Sequence, residues 1–329
     1  MFDQSYKLKI CSLFAGGGLF DYAFKQYFDI IWANELSPAA AACYRANIGD
    51  HIQVGDIQNI DPSEIPESDG YIGGPPCIDF SSNGRNNGES GETGHLIWVY
   101  YKLIQTKRPK FFLFENVSNL SVRHKETLER LVEAFDSVGY NVSFKTLDAA
   151  DYGVAQFRKR VFVAGIRKDL GFTFDFPAPA AAQINVREAI GDLPVPTTAH
   201  SRQRVLGDFP NHVATWESPT PQRIIDVIQH PRSQWRGMRR LQWDYPSPTI
   251  TAHVSKDGRE HLFPSEPRRI TVREGLRLMS VPDDFIIPAE VPLSHQYRIV
   301  GNGIAYHVAD ALAHALYTQF QVYDTTLAI

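Results

Sequence analysis

The chain has 329 residues, 43% of them hydrophobic and 21% charged, so it can bury a large core and exceeds the usual size of one compact domain. Its net charge of -4 excludes a sequence-wide attraction to nucleic acid, so any such contact must be local. The three cysteines have no paired spacing and no nearby histidine cluster, so the sequence suggests neither a disulfide framework nor a zinc site. No run approaches the roughly 18 apolar residues of a spanning helix, so we expect a soluble cytoplasmic protein without a metal.

The first half of the chain alternates short apolar strands with helical patterns. This alternation predicts an α/β fold, with a parallel sheet covered by helices on both faces. The predicted strands are 8–14, 29–33, 69–72, 111–115, 141–147 and 160–166. The predicted helices are 19–28, 37–47, 95–106 and 124–138, and Ser37 followed by Pro38 is a typical start for the second of them.

The regular pattern ends at FPAPAAAQ, residues 176–183, whose prolines indicate a domain boundary. From there to about residue 270 the chain is irregular and rich in Pro, Arg and aromatic residues, with a strand-like piece at 249–253, as expected of a small domain specialised for contacts. Helical patterns return at 271–280 and 303–319. A basic cluster with Asp226 as its only acid predicts a local DNA contact, the alternative being a solvated helix face. Its arginines are Arg223, Arg232, Arg236, Arg239 and Arg240.

A glycine-rich loop, FAGGGLF at 14–20, follows the first strand and precedes a helix. Its backbone N–H groups can approach a ligand at the carboxyl edge of the sheet, although an ordinary tight turn is the alternative. Asp21 stands where a G-x-G-x-x-G motif needs its last glycine, which disfavours a nicotinamide cofactor. Glu35 ends the second strand and can accept hydrogen bonds from both hydroxyls of a ribose, and Asp56 can accept from an adenine amino group. Either acid alone can simply be a solvated loop residue.

The run GGPPCIDFS, residues 73–81, places Cys77 at the start of a loop behind two prolines that restrict the backbone. An isolated cysteine is more often a buried, inert thiol. The segment 82–94 that follows contains four glycines and almost no apolar residue, which predicts a mobile lid over a site. A thiol at the root of a lid favours a nucleophile.

Two further motifs should meet this thiol. FFLFENV, residues 111–117, is a buried strand whose Glu115 can retain a proton among apolar neighbours and donate it, unless it is solvated. QFRKR, residues 156–160, places Gln156, Arg158 and Arg160 on one side of an extended segment. An arginine beside a carboxyl and a thiol favours the thiolate, and a basic strand end facing water is the alternative.

In this order the motifs resemble those of the cytosine-C5 DNA methyltransferase family of bacterial modification systems. The set that carries the resemblance is FAGGGLF, Glu35, Asp56, GGPPC, ENV, QFRKR, REGLRLMSVPDDF (273–285) and VGNGIAYHVA (300–309). The resemblance implies a Rossmann-like domain that depends on S-adenosylmethionine, at 1–177 plus 301–329. It also implies a smaller target-recognition domain at 178–270, and a hinge and returning segment at 271–300.

The resemblance also implies roles for individual residues. The catalytic positions are Cys77, Glu115, Arg158 and Arg160. The positions that bind S-adenosylmethionine are Phe14, Ala15, Gly16, Gly17, Gly18, Glu35, Asp56, Ile57, Pro76, Leu96, Asn302 and Gly303. The candidates for contact with DNA are Ser81, Arg85, Arg232, Arg236, Arg239, Arg240, Thr249 and Thr251.

The implied chemistry begins with addition of Cys77 to carbon 6 of cytosine, because carbon 5 is too weak a nucleophile without it. Glu115 assists at ring nitrogen 3, carbon 5 takes the methyl group, and S-adenosylhomocysteine is the second product. None of these atoms is reachable inside a duplex, so the target cytosine must be flipped out. The implied partners are double-stranded DNA and a cognate restriction endonuclease, with no membrane, and the implied location is the nucleoid.

Four positions depart from the family pattern. Ser12 replaces an aspartate, Leu19 a glycine, Leu36 an aromatic residue and Ile78 a glutamine, so the details of cofactor stacking and of holding the flipped nucleotide are expected to differ. Three alternatives stay open: an RNA cytosine methyltransferase, a catalytically silent DNA-binding homologue, and, more distantly, a nicotinamide oxidoreductase. The recognition segment of about 90 residues favours DNA.

Overall fold

The computed structural model describes residues 7–76, 94–179, 182–199, 209–215, 220–229, 239–252, 254 and 261–327. Seven strands of this part form one sheet in the order β3-β2-β1-β4-β5-β7-β6. The strands are β1 (Lys9–Leu13), β2 (Asp29–Glu35), β3 (Ile52–Val54), β4 (Gly70–Gly73), β5 (Phe111–Val117), β6 (Tyr140–Asp148) and β7 (Lys159–Arg167). All six predicted strands are confirmed. The sequence pattern missed β3, whose three residues are too few for a recognisable alternation.

The expectation of an all-parallel sheet was wrong for β7. This strand lies between β5 and β6 and runs antiparallel to both. Residues 149–158, which join β6 to β7, are fewer than the dozen or more that a crossover between parallel strands needs. The reversal has a functional consequence, because the beginning of β7 lies beside the carboxyl end of β5, where Arg160 pairs with Val117.

Helices cover both faces of the sheet. One face packs Ile10, Leu113 and Phe162 into the largest core cluster, which also takes in the first and last helices. The other face packs Phe112 and Val163 against the third and fifth helices. None of the described helices is both long enough and apolar enough to span a membrane. The helices are α1 (Leu19–Phe24), α2 (Pro38–Asn47), α3 (Leu96–Lys107), α4 (Asn119–Val122), α5 (Lys125–Ser137), α6 (Val186–Ile190), α7 (Pro221–Gln229), α8 (Val272–Arg277), α9 (Leu293–Asn302) and α10 (Tyr306–Leu327).

The segment predicted to recognise the target contains α6, α7 and a parallel pair of short strands, β8 (Thr197–Ala199) and β9 (Val213–Thr215). The strand expected at 249–253 is wrong over 249–252, and residue 253 lies outside the described residues. Within 245–252, Ser247 alone makes a bridge, to Gln156, and the flanking prolines 246 and 248 have no N–H to donate. The domain bounds at 178 and 270 stay predictions.

Candidate active site

The glycine-rich loop between β1 and α1 has a strained, closely packed backbone. Phe14, Gly16 and Gly18 all have positive φ, at 56°, 59° and 85°. Gly17 has no room for a side chain, because an added Cβ would lie 2.5 Å from Cγ2 of Ile299 in α9. The N–H of Ala15 donates to the carbonyl of Asn34 at 2.9 Å, which ties the loop to the end of β2.

Glu35 holds this loop from the end of β2. Its Oε2 accepts from the N–H of Gly16 at 2.8 Å, and its Oε1 accepts from the N–H of Ser37 at 2.8 Å. Burial raises the pKa of this carboxyl, and the backbone N–H groups of Ser37 and Gly16 oppose the shift. Each oxygen keeps a further lone pair, so the carboxylate is oriented and can still accept from a ligand.

Asp56 lies beside Glu35 because the ends of β2 and β3 are joined. The N–H of Gly55 donates to the carbonyl of Glu35 at 3.0 Å. The side chain of Asn34 donates to the carbonyls of Gln53 and Gly55 at 3.2 and 3.0 Å, a role that the sequence analysis missed. The polar end of the second predicted strand, from which Glu35 was identified, could have identified its neighbour Asn34 as well. Asp56 then caps a short 3-10 turn at Ile57–Asn59, in which Ile57 is buried.

Glu115 and Arg160 form an ion pair at the carboxyl edge of β5. Nε of Arg160 lies 2.7 Å from Oε1 of Glu115, and both side chains are largely buried. The antiparallel direction of β7 creates this contact, since it brings the start of that strand to the end of β5. Burial raises the pKa of Glu115, and the positive charges of Arg160 and Arg158 oppose the shift.

The segment that leads to Cys77 lies beside this ion pair. A Cβ added to Gly74 would be 3.8 Å from Oε2 of Glu115. The buried side chain of Asn116 points to the opposite face of the sheet and donates to the carbonyl of Pro75 at 3.3 Å. Asn116 therefore fixes the carbonyl of Pro75, the first of the two prolines. Pro76 is half-buried at the end of this described stretch, and Cys77 and 82–93 lie outside the described residues.

The side chains of the motif QFRKR contact two different regions of the protein. Its burial alternates as predicted, with Phe157 and Lys159 exposed and Gln156 and Arg158 buried. The guanidinium of Arg158 donates to the carbonyls of Ile250, Gly301 and Gly303 at 2.8, 3.0 and 2.7 Å. Oε1 of Gln156 accepts from the N–H of Ile250 at 3.0 Å. Arg160 thus contacts Glu115 directly. Arg158 instead joins its own segment to Ile250 and to the end of α9, and only its positive charge affects Glu115, by opposing the rise in pKa.

The end of α9 returns the chain to the glycine-rich loop. An added Cβ at Gly303 would lie 2.5 Å from Cδ2 of Leu19, one of the positions that depart from the family pattern. Asn302 is exposed beside it, and Leu96 is half-buried at the start of α3. The end of α9 therefore packs against the glycine-rich loop and the start of α1, through Ile299 with Gly17 and Gly303 with Leu19.

The predicted contacts to DNA are only partly described. Arg239 and Arg240 are exposed. The hydroxyl of Thr249 donates to the carbonyl of Phe157 at 2.7 Å, and the hydroxyl of Thr251 is buried. Ser81, Arg85, Arg232 and Arg236 lie outside the described residues.

Comparison with known proteins agrees with this geometry. The sequence model of the family described as C-5 cytosine-specific DNA methylase matches residues 8–318. The chain belongs to this family. It is therefore an enzyme, a DNA cytosine-5 methyltransferase, and the family depends on S-adenosylmethionine.

Similar curated proteins match over nearly their whole length. The chain is 36% identical to the Type II methyltransferase M.MthTI of Methanothermobacter thermautotrophicus, covering 93% of this chain and 96% of the relative. It is 34% identical to the Type II methyltransferase M.NgoPII of Neisseria gonorrhoeae, with 94% and 95% covered.

Solved structures share the fold at lower identity. A DNA modification methyltransferase encoded within an E. coli prophage has a TM-score of 0.73 at 22% identity, with 95% of this chain and 99% of that chain covered. The Dnmt2 methyltransferase of S. pombe has a TM-score of 0.70 at 16% identity, with 96% and 99% covered.

Proposed function

We propose that this DNA cytosine-5 methyltransferase transfers a methyl group from S-adenosylmethionine to a flipped-out cytosine in a specific duplex sequence, through a covalent Cys77 adduct at carbon 6. The observation that carries the proposal is the buried Glu115–Arg160 ion pair beside the Gly74–Pro76 segment that leads to Cys77. An acid and a fixed cation beside a thiol are the groups that addition to a cytosine ring requires.

The residues at the glycine-rich loop fit S-adenosylmethionine. A Cβ added to Gly16 would meet nothing within 4 Å, so the loop borders open space. Glu35 would accept from the ribose hydroxyls and Asp56 from the adenine amino group. Leu36, which is 67% exposed, would cover the adenine ring where the family has an aromatic residue. When bound, the cofactor supplies a methyl group on an electrophilic sulfonium.

Glu115 acts at ring nitrogen 3 of the flipped cytosine. The raised pKa of Glu115 favours the protonated carboxyl, which can donate a proton to ring nitrogen 3 as the Cys77 thiolate attacks carbon 6. The electron pair of the carbon 5–carbon 6 double bond then becomes available at carbon 5. After methyl transfer, ring nitrogen 3 returns its proton to Glu115. A base then removes the carbon 5 proton, the carbon 5–carbon 6 double bond re-forms and Cys77 leaves.

Arg160 orients Glu115 and holds a positive charge at the site of addition. It donates from Nε to Glu115 and from a terminal nitrogen to the carbonyl of Lys159 at 2.8 Å, so the guanidinium is held from two sides. A fixed cation there favours the thiolate of Cys77 and can bind the carbonyl oxygen of the base.

The Type II names of the relatives support a role in modification, with a cognate restriction endonuclease as partner. Binding to DNA would place the enzyme in the cytoplasm, at the nucleoid. The test is transfer of tritium from labelled S-adenosylmethionine to duplex DNA and to transfer RNA, followed by bisulfite mapping. We expect label in duplex DNA at cytosines of one short sequence, and none with Cys77→Ala. Label in transfer RNA alone would overturn the DNA assignment, and DNA binding without any label would support the silent homologue.

Replacing Glu35 with glutamine should weaken binding of S-adenosylhomocysteine by about tenfold or more, measured by calorimetry. An amide has one acceptor oxygen, so either Gly16 or Ser37 would face an NH2 group instead of an acceptor. Glu64→Gln, an exposed glutamate of the same half, is the control. Equal affinities for the two variants would show that Glu35 does not organise the loop.

A further inference from the structure

Two polar side chains at the outer edge of the cofactor site have no role in the mechanism above. Gln58 lies in the short turn that Asp56 caps, and His95 directly precedes α3. The amide nitrogen of Gln58 is 3.4 and 3.3 Å from the two carboxylate oxygens of Asp56. Its oxygen is 3.0 Å from Nε2 of His95. The three side chains therefore form one chain of hydrogen bonds.

Elementary chemistry gives each of these hydrogen bonds one direction. An ionised carboxylate only accepts, so the Gln58 amide must present its NH2 group to Asp56 and its oxygen to His95. An amide oxygen also only accepts, so Nε2 of His95 carries a hydrogen and donates it. The N–H of Gln58 adds a hydrogen bond to Oδ1 of Asp56 at 3.0 Å. Together the backbone and side chain of Gln58 hold the carboxylate plane.

We propose that Gln58 and His95 are positioning residues that aim the Asp56 carboxylate at the exocyclic amino group of the cofactor purine, and so set purine specificity. The inference rests on the proposed function. Gln58 is exposed and Asp56 is half-buried. These hydrogen bonds therefore affect cofactor binding by orienting the carboxylate rather than by burying a large polar group. His95 holds the far end of Gln58 from the start of α3, next to the predicted cofactor residue Leu96.

The test compares two ligands on the full-length protein by calorimetry. S-adenosylhomocysteine carries the 6-amino group, and S-inosylhomocysteine carries an oxygen there, which would repel the carboxylate. The wild type should prefer the amino ligand. Gln58→Ala and His95→Ala should each reduce that preference by about three- to tenfold. Asn59→Ala is the matched control, since Asn59 is an exposed amide in the same turn and should leave the preference unchanged.

The double variant Gln58→Ala/His95→Ala distinguishes a connected chain of hydrogen bonds from two residues that act independently. If His95 acts through Gln58, then His95→Ala has no further effect in the Gln58→Ala background. Equal weakening of both ligands, or an unchanged preference, would overturn the inference while leaving the proposed function intact. Failure of the wild type to bind either ligand would overturn both.

Discussion

Replacing Glu115 with glutamine is expected to lower kcat/KM for duplex DNA by about 10²- to 10⁴-fold, the usual contribution of a positioned general acid. The amide preserves the size of the side chain and can still accept from Arg160, so the fold should be retained. The amide N–H groups are too weakly acidic to transfer a proton to ring nitrogen 3. Single-turnover methyl transfer would measure the loss, and thermal unfolding would verify the fold.

The pH profile of the same pair of enzymes tests the reason for the loss. Burial raises the pKa of Glu115, so its carboxyl stays protonated to a higher pH than an ordinary glutamate. As the pH rises through this pKa the acid is lost, and kcat/KM of the wild type should fall on that side. The glutamine variant has no such group and should lack this decline.

A control glutamate distinguishes acid catalysis from a general change of charge. Glu129 lies on the exposed face of α5, where it pairs with Lys125. Glu129→Gln should leave kcat/KM unchanged. Activity of Glu115→Gln within about threefold of the wild type would be incompatible with general acid catalysis at that position.

Replacing Arg268 with methionine should lower the free energy of unfolding by about 3–5 kcal/mol, because it leaves a buried carboxylate without its partner. The terminal nitrogens of Arg268 donate to both oxygens of Glu274 at 2.9 and 2.7 Å, and each side chain is only 1% exposed. Glu274 also accepts from the N–H of Thr271 at 2.7 Å and so caps α8. Urea unfolding would measure the loss.

A second substitution should recover part of that stability. Glu274→Gln in the Arg268→Met background removes the stranded charge and retains an oxygen for the N–H of Thr271, so the double variant should be more stable than Arg268→Met alone. Arg187→Met is the control, because its partner Asp244 is exposed, and its expected cost is about 0–1 kcal/mol. Equal costs for the two arginines would contradict the buried-pair argument.

The candidate site was predictable wherever it depended on the ends of parallel strands. Glu35 ends one predicted strand and the Gly74–Pro76 segment follows another, and the carboxyl ends of parallel strands share one edge of a sheet. Asp56 follows β3, which the strand pattern missed, so its prediction rested on motif order and spacing instead. The different contacts of the two arginines in QFRKR were not predictable in the same way. Arg158 and Arg160 occupy equivalent positions in the pattern, and only their surroundings assign one to backbone carbonyls and the other to Glu115.

The amino-acid sequence by itself determined the α/β class, the strand ends that present the chemistry, and the family. These depend on local periodicity and motif order, which are properties of neighbouring residues. The tertiary structure alone decided that β7 runs antiparallel, that Arg268 and Glu274 are buried together, and that Gln58 joins Asp56 to His95. Each of these depends on which distant segments meet. The periodicity of a segment indicates whether it is a helix or a strand, but not which other segment it contacts.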